Sequence, residues 1–135
     1  MDKQEITETN LVHGTLTRSI LSAAFQVHST LGPGLLEKPY RVCMCHELTR
    51  ANLAFETEKH FDVEYGGFTI PMGYRVDLLV EDSVVVEIKA VETILPVHEA
   101  QLLSYLRLSR RRVGLLINFN VTRLRYGIRR RILGY

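Results

Sequence analysis

Two neighbouring segments in the middle of the chain are apolar at almost every position, whereas a half-exposed strand would alternate apolar with polar residues. They span residues 74–80 and 84–90, and Asp82 and Ser83 lie between them as a turn. Strands of this composition are typical of sheets that helices cover on both faces. The two segments therefore predict the central strands of an α/β domain, which requires helices elsewhere in the chain.

The remaining segments supply these helices and further strands. Between Leu16 and Leu31 apolar residues recur at three- and four-residue spacing, which indicates an amphipathic helix. Helices are predicted at residues 15–31, 36–50 and 97–108, and strands at residues 54–65, 68–70, 74–80, 84–90 and 113–119. Residues 123–133 are interpreted as a final edge strand or a short helix. The order, ααββββαβ plus this uncertain element, predicts an α/β domain whose sheet has mixed strand directions.

Glycine and proline residues set the predicted boundaries. Gly66-Gly67 and Pro71-Met72-Gly73 are expected to separate the first three strands of a β-meander. Pro39 falls within the second predicted helix. It is compatible with that helix only in the first turn, where its missing N–H would lack a helical partner in any case.

Length and composition bound the class of protein. With 135 residues, of which 46% are hydrophobic and 24% charged, the chain fits one soluble globular domain. Residues 1–14 are interpreted as an N-terminal extension and residues 15–135 as the domain. No apolar run reaches the roughly 18 residues of a membrane span, and the first residues lack a secretory pattern, so a cytoplasmic protein without membrane contact is expected. Cys43 and Cys45 would point apart on a helix and are expected to be buried thiols without a disulfide.

Charge is distributed unevenly along the chain. Residues 1–99 carry 8 basic and 15 acidic side chains, whereas residues 100–135 carry 9 basic and no acidic ones. Such a cationic segment favours a surface for a polyanion, and phosphate backbones are the usual polyanion. A solvated cationic end explains the same counts equally well. On the first interpretation, nucleic acid is bound mainly by Arg110, Arg111, Arg112, Arg129, Arg130 and Arg131.

Three charged residues interrupt the two most apolar strands. Asp77 lies in RVDLLV, and Glu87 and Lys89 lie in VVVEIKAV. Buried charges are rare unless they are paired or bind a metal. Glu87 and Lys89 are two residues apart and share one face of their strand. Asp77 joins that face only if the hairpin loop has an odd length or a bulge, and we predict the three-residue loop 81–83, which pairs Asp77 with Glu87.

Two converging carboxylates suit a hard cation, and Mg²⁺ prefers few protein oxygens together with water and substrate phosphate. We therefore predict a magnesium site, for which Mn²⁺ is a possible substitute. The Ile88 carbonyl is a candidate third ligand beside Asp77 and Glu87. Lys89 would help to orient or deprotonate the attacking water and stabilise charge on phosphorus. Taken alone, however, a short D-x9-E-x-K pattern favours a structural ion pair of Lys89 with one of the acids.

Two helical segments add candidate residues. His98, Gln101 and Tyr105 follow one polar stripe on the third helix, where Gln101 and Tyr105 could hold a phosphate or a water. An ordinary solvent-facing stripe is the alternative. Glu37 is placed in the first turn of the second helix, where it is a candidate site residue or only a favourable charge for the helix dipole.

The residues Gly34, Glu37 and Tyr40 within GPGLLEKPY resemble the opening motif of the GxxExxY protein family, a branch of the PD-(D/E)XK nuclease superfamily. The resemblance continues through GYRVDLLV, VVVEIKAVETILPVHEAQLLSYLRLS and VGLLINFN, and covers residues 15–135. It implies a restriction-endonuclease-like core, a central mixed β-sheet flanked by helices in the order roughly ααββββαββ. It also implies that Asp77, Glu87 and Lys89 are the metal-binding acids and catalytic lysine. It also implies that Gln101 and Tyr105 correspond to the QxxxY element of RecB-type exonucleases, and that Glu37 lies near the metal.

The chain departs from that pattern in a few places. Val76 replaces the proline that gives the superfamily its name, and Pro39 is unexpected within the opening motif. The iron–sulfur cluster of some RecB-like relatives requires four cysteines, and this chain has two.

The function expected from these features is magnesium-dependent hydrolysis of nucleic acid, with DNA as the substrate. No helix-turn-helix, zinc finger or stacking platform indicates sequence-specific binding. Two alternatives remain: an inactive nuclease-fold module for binding or assembly, as a homodimer or within a larger complex, and a metal-dependent hydrolase of another phosphate ester.

Overall fold

The computed structural model describes residues 13–134. Within this range the elements along the chain are α1 (Gly14–Leu31), α2 (Glu37–Arg50), β1 (Phe55–Tyr65), β2 (Phe68–Val80), β3 (Val84–Lys89), α3 (Pro96–Ser109), β4 (Val113–Asn118) and β5 (Ile128–Ile132). A short 3-10 helix, Leu124–Gly127, precedes β5, so the segment predicted as an edge strand or a helix contains both. The α/β class predicted from the sequence is confirmed.

The five strands form one mixed sheet in the order β1-β2-β3-β4-β5. β3 and β4 are parallel, with α3 as the connection between them, and the other neighbouring strands are antiparallel. Strands β1 to β3 form the predicted meander. Because β3 and β4 are parallel, their carboxyl ends, Lys89 and Asn118, lie side by side at one edge of the sheet.

Helices bury both faces of the sheet. On one face, α1 and α2 pack on a cluster whose strand members include Leu78, Val80, Val84, Val86, Ile88, Val113, Leu115 and Ile117. On the opposite face, α3 contributes to a smaller cluster of Val76, Leu79, Val85, Leu102, Leu106 and Leu116. Successive residues of the central strands thus enter different apolar clusters, which explains why these strands are hydrophobic without alternation.

One predicted boundary is wrong, because Pro71-Met72-Gly73 does not end a strand. The segments predicted at residues 68–70 and 74–80 belong to the single strand β2, and the extra residues form an irregularity in its pairing with β1. The Met72 N–H donates to Asp62 Oδ1 at 2.9 Å, which replaces a ladder bond at this point. This half of β2 pairs only with β1, so Pro71 interrupts no second ladder.

The loop between β2 and β3 has the predicted odd length. Val80 pairs with Val84, and the residues 81–83 form the connection. The same register, continued from the pair Leu78 and Val86 by one residue, places Asp77 opposite Glu87. The two acids therefore meet across neighbouring strands.

Other predictions concern the chain ends, cysteines and membranes. The predicted N-terminal extension lies outside the described residues except for positions 13 and 14, and Gly14 is already the first residue of α1. Cys43 and Cys45 are free thiols, as predicted, but both are half-buried rather than buried. Within residues 13–134, no helix combines the length and the apolar character needed to cross a membrane.

Tyr40 holds the turn between α1 and α2. Its hydroxyl donates to the Gly32 carbonyl at 2.6 Å and accepts the Leu35 N–H at 3.2 Å. Its buried ring stacks on Phe119 just after β4, with centroids 4.7 Å apart. The tyrosine of the opening motif thus joins the turn, the start of α2 and the carboxyl end of the sheet.

The other motif residues suit their positions. Gly34 has φ 103°, a conformation that favours glycine, and its N–H donates to Asn120 Oδ1 at 3.0 Å. Pro39 is the third residue of α2, so the expectation that it lies in the first turn is confirmed. This arrangement places Glu37 at the first position of the helix.

Replacing Tyr40 with phenylalanine tests the role of its hydroxyl. The variant leaves a carbonyl and an N–H without their partner in a partly buried turn, so we expect Tyr40→Phe to lower the free energy of unfolding by about 1–3 kcal/mol. Chemical denaturation measures this change. Tyr65→Phe, at a side chain that is 77% exposed, is the matched control and should have little effect. Equal stability of the two variants would contradict the role assigned to Tyr40.

Candidate metal and active site

Asp77 and Glu87 are buried side by side, with only 9% and 5% of their surface exposed. The Asp77 N–H donates to Glu87 Oε2 at 2.9 Å, and the Ile88 N–H donates to Asp77 Oδ2 at 2.8 Å. Each carboxylate is thus fixed by a backbone group of the opposite strand. Asp77 Oδ1 and Glu87 Oε1 accept no hydrogen bond from residues 13–134 and can serve as ligands.

The pair carries unfavourable electrostatics in the absence of a cation. Burial raises the pKa of Glu87, and the neighbouring Asp77 raises it further, to about 8. Burial also raises the pKa of Asp77, while the Ile88 N–H and the Lys89 charge oppose that shift. Among the described residues, neither acid forms a salt bridge. The alternative of a direct structural ion pair with Lys89 is therefore not what the geometry shows.

The β-ladder is irregular at Asp77. β1 and β2 pair at Thr57 with Leu78 and at Lys59 with Val76, but the intervening pair of Glu58 and Asp77 is missing. Val76 packs in the α3-side cluster although Leu78, two residues later, packs on the opposite side. The alternation of side chains is thus interrupted at Asp77, which leaves its N–H available to Glu87.

Lys89 is half-buried at the carboxyl end of β3, two residues after Glu87. The Phe119 N–H donates to the Lys89 carbonyl at 3.0 Å. The Asn118 side chain donates to the Val91 carbonyl at 2.9 Å and accepts the Val91 N–H at 3.0 Å. These contacts fix the chain at Lys89 and just after it. Asn118 was missed from the sequence, although a polar residue that ends the apolar run VGLLIN is a usable signal.

Glu37 and Tyr105 approach the acid pair from two helices. Burial raises the pKa of Glu37, and the charge of Asp77 is the next largest cause. Burial likewise raises the pKa of Tyr105, followed by the charges of Glu87 and Asp77. The structure thus brings Glu37 of α2 and Tyr105 of α3 to the same site as the two acids.

Gln101 and His98, the other two residues of the predicted polar stripe, have different surroundings. Gln101 is exposed one turn before Tyr105 on α3, and no hydrogen bond joins it to the acids within the described part of the chain. His98 has a local role, because its Nδ1 accepts the Leu95 N–H at 3.0 Å and so caps the start of α3. Tyr105 stacks on Tyr74 with centroids 4.9 Å apart, which fixes its ring.

Two arginines near the acids were missed from the sequence. Arg41 on α2 and Arg75 on β2 both oppose the rise in the pKa of Asp77 and of Glu37, so their charges lie close to the site. Arg41 follows Glu37 by four residues and so shares its face of α2, whereas Arg75 lies two residues before Asp77 on β2. That spacing was the available signal.

Several of the predicted nucleic-acid-binding arginines make contacts within the protein. Arg111 donates to Asp82, to Oδ1 at 2.7 Å and to the carbonyl at 3.0 Å. Arg129 and Arg131 both contact Glu99 on α3, Arg129 at 3.7 Å. These side chains therefore contribute to the packing of β5 and α3 and of the β2-β3 loop.

The other members of the set differ in exposure. Arg110 is exposed at the end of α3, Arg130 is half-buried in β5, and Arg112 donates to the Leu133 carbonyl at 3.4 Å. Residues 110–112 come just before Val113, which pairs with Val84 at the start of β3. They lie toward the end of the sheet opposite to Lys89, and the site and this arginine segment do not share one edge.

The donor set fits a magnesium ion. No group of three His, Cys, Asp or Glu side chains in the described range is arranged to hold a metal. Mg²⁺, however, requires only one or two carboxylates besides water and phosphate. Because the N–H and carbonyl of one strand residue point to the same side, the Ile88 carbonyl faces the Asp77 side, as its N–H does. Two carboxylate oxygens and this carbonyl are an all-oxygen set suited to a hard cation.

The fold and the acid pair define a nuclease-like α/β domain, and comparisons with known proteins agree. A family model described as the PD-(D/E)XK nuclease superfamily matches residues 14–131, so the chain belongs to that superfamily. The crystal structure of SSO0001 has a similar fold, with a TM-score of 0.54 at 19% sequence identity. The alignment covers 91% of this chain and 61% of that one, so the chain spans less than two thirds of SSO0001. No curated protein matches the chain.

The raised pKa of Glu87 predicts how stability depends on pH without metal. Between its ordinary value of 4.5 and about 8, the folded protein keeps a proton that the unfolded chain has lost. The free energy of unfolding should therefore fall as pH rises through this window. Denaturation in EDTA at several pH values measures the slope, and Glu87→Gln should flatten it. A wild-type profile as flat as that of the variant would contradict the assignment.

Proposed function

We propose that this protein is a magnesium-dependent nuclease that hydrolyses phosphodiester bonds of DNA, and that it belongs to the GxxExxY family within the RecB-like branch of its superfamily. The observation that carries the proposal is the pair of buried carboxylates, Asp77 and Glu87, which have free oxygens and no salt bridge within residues 13–134. Membership of the PD-(D/E)XK superfamily supports nuclease-type chemistry.

In the proposed mechanism, Asp77 Oδ1, Glu87 Oε1 and the Ile88 carbonyl hold Mg²⁺. When bound, the ion supplies positive charge that polarises the scissile phosphate and makes a nearby water more acidic. Lys89 follows Glu87 by two residues and shares its face of β3, so its ammonium group reaches the same phosphate. It orients the attacking water and stabilises the negative charge that develops on the phosphoryl oxygens.

The helical residues have supporting roles in this proposal. Glu37 adds a third carboxylate at the edge of the site, where it positions water. Tyr105, whose ring is fixed by Tyr74, presents its hydroxyl near the acids. Gln101, one exposed turn away on α3, contacts the phosphate backbone of the substrate. These residues fit substrate positioning better than metal binding, because the acid pair already supplies the charge that Mg²⁺ requires.

The proposal also covers the DNA contacts, the alternative metal ion, the partners and the location of the protein. The acid-free C-terminal part, with Arg110, Arg111, Arg112, Arg129, Arg130 and Arg131, is proposed to contribute non-specific contacts to the DNA backbone. Mn²⁺ is expected to replace Mg²⁺. A homodimer or a larger complex would supply the substrate selection that a small domain without a reading element lacks. A cytoplasmic location stays a prediction from the sequence.

Three substitutions separate the nuclease from an inactive module with the same fold. Asp77→Asn and Glu87→Gln should abolish cleavage of labelled DNA. Without metal, Asp77→Asn should raise the melting temperature because it removes a buried negative charge, and Glu87→Gln should do so above about pH 8, where Glu87 is ionised. Lys89→Ala should lose turnover while the protein is still stabilised by Mg²⁺. Glu64→Gln, on the exposed β1-β2 hairpin, is the matched control and should retain activity.

A structural role for these residues predicts the contrary pattern. If Lys89 serves only to neutralise the acids, Lys89→Ala should destabilise the protein by about 3–5 kcal/mol. The nuclease proposal fails if single-stranded, duplex and flapped DNA all remain uncut, Mg²⁺ does not stabilise the wild type, and Lys89→Ala unfolds.

A further inference from the structure

Glu58 occupies a strained position in the middle of β1. Its φ of 50° is uncommon for a residue other than glycine, and it lies opposite Asp77 at the missing pair of the ladder. Strained backbone of this kind is retained only when surrounding interactions enforce it, and such positions cluster at functional sites. Glu58 is therefore a candidate functional residue, and its side-chain contacts indicate its role.

Glu58 bridges the two arginines beside the acid pair. Its Oε2 lies 3.8 Å from an Arg41 nitrogen and 3.4 Å from an Arg75 nitrogen. Both distances exceed the length of a strong charge-assisted hydrogen bond, about 2.7–2.9 Å. The side chains of Glu58 and Arg75 are 43% and 52% exposed, so solvent screens the bridge. Such a bridge adds little stability and can be broken by a better anion.

The two guanidinium groups come from different elements and meet at the site. Arg41 lies on α2, one turn after Glu37, and Arg75 lies on β2, two residues before Asp77. Their charges act on both Asp77 and Glu37, which confirms that they lie near these carboxylates. An anion held by Arg41 and Arg75 would therefore be adjacent to the proposed metal position rather than on a remote surface.

We propose that Arg41 and Arg75 form a binding subsite for a backbone phosphate of the nucleic acid, and that Glu58 occupies this subsite until the substrate displaces it. A phosphodiester suits two guanidinium groups because each can donate paired hydrogen bonds to its oxygens. The bound strand then continues from the acid pair toward β1, whereas residues 110–112 lie toward the opposite end of the sheet. This inference rests on the proposed function for the identity of the anion.

Glu58 acts as a competitor in this arrangement. In the free protein its carboxylate partly neutralises the two arginines. When a phosphate enters, Glu58 must leave, and its exposed position allows it to turn into solvent. Removal of its charge should therefore strengthen binding, whereas removal of either arginine should weaken it.

Binding of a labelled duplex oligonucleotide, measured by fluorescence anisotropy in EDTA, tests the subsite without cleavage. Arg41→Ala and Arg75→Ala should each raise Kd roughly tenfold, the effect of one lost charge-assisted contact. The slope of log affinity against log salt should decrease by about 0.9 when both are replaced. Glu58→Gln should lower Kd several-fold, and this gain should disappear when Arg75 is also replaced.

The chain offers matched controls on the same helix. The exposed Arg50 and the half-buried Glu47 form a pair at 3.6 Å near the end of α2, so Arg50→Ala and Glu47→Gln change the same charges away from the site. Melting temperatures check that each variant is folded, and Arg41→Lys, which keeps the charge, replaces Arg41→Ala if the latter unfolds. Arg41→Lys should raise Kd less than Arg75→Ala does, because lysine keeps the positive charge.

The outcomes separate this inference from the proposed function. If the wild type cleaves DNA but the Arg41, Arg75 and Glu58 variants bind as the controls do, the subsite is wrong and the nuclease stands. If no DNA is cut but binding follows the predicted pattern, the subsite stands and the catalytic proposal fails. A weaker affinity of Glu58→Gln would overturn the role of Glu58 as a competitor.

Discussion

The candidate site is built around two buried carboxyl groups whose negative charges repel each other inside an apolar sheet. Asp77 and Glu87 are almost completely buried, and burial together with their proximity raises the pKa of Glu87 to about 8. An unpaired buried charge costs several kcal/mol, so such a pair is retained where a cation or a proton resolves the repulsion. The hydrogen bonds from the Asp77 and Ile88 N–H groups orient the acids but do not neutralise them. This unfavourable pair is the basis of the proposed divalent-cation site.

The surrounding fold keeps this pair in place. The three-residue loop between β2 and β3 sets the register that brings the acids together, and the missing ladder pair at Glu58 frees the Asp77 N–H. Tyr40 ties the α1-α2 turn to the end of the sheet and so places Glu37, while Asn118 fixes the chain after Lys89. These supports come from the sheet and from the α1-α2 layer. The opening motif is thus largely a scaffold: only its glutamate lies near the acids.

Much of the fold was predictable because its determinants are local. Continuous apolar segments identified the central strands, and the requirement that Asp77 and Glu87 share a face gave the correct odd loop. The continuity of β2 through Pro71 was missed, because whether a proline breaks a strand depends on which neighbours that strand has. Arg41 and Arg75 were missed for a similar reason, since their spacing from Glu37 and Asp77 gains meaning only when folding brings them to the acids. His98 has a local capping role that its place in the polar stripe concealed.

The central claim is that Asp77 and Glu87 form a metal site that releases a proton when it is filled. Calorimetric titration with Mn²⁺ or Mg²⁺ at neutral pH, in buffers of different ionisation enthalpy, measures both the affinity and the number of protons released. The account predicts saturable binding with release of up to one proton by the wild type, and weaker binding without proton release by Glu87→Gln. Absence of binding to the wild type, or equal binding and proton release by both proteins, would contradict it.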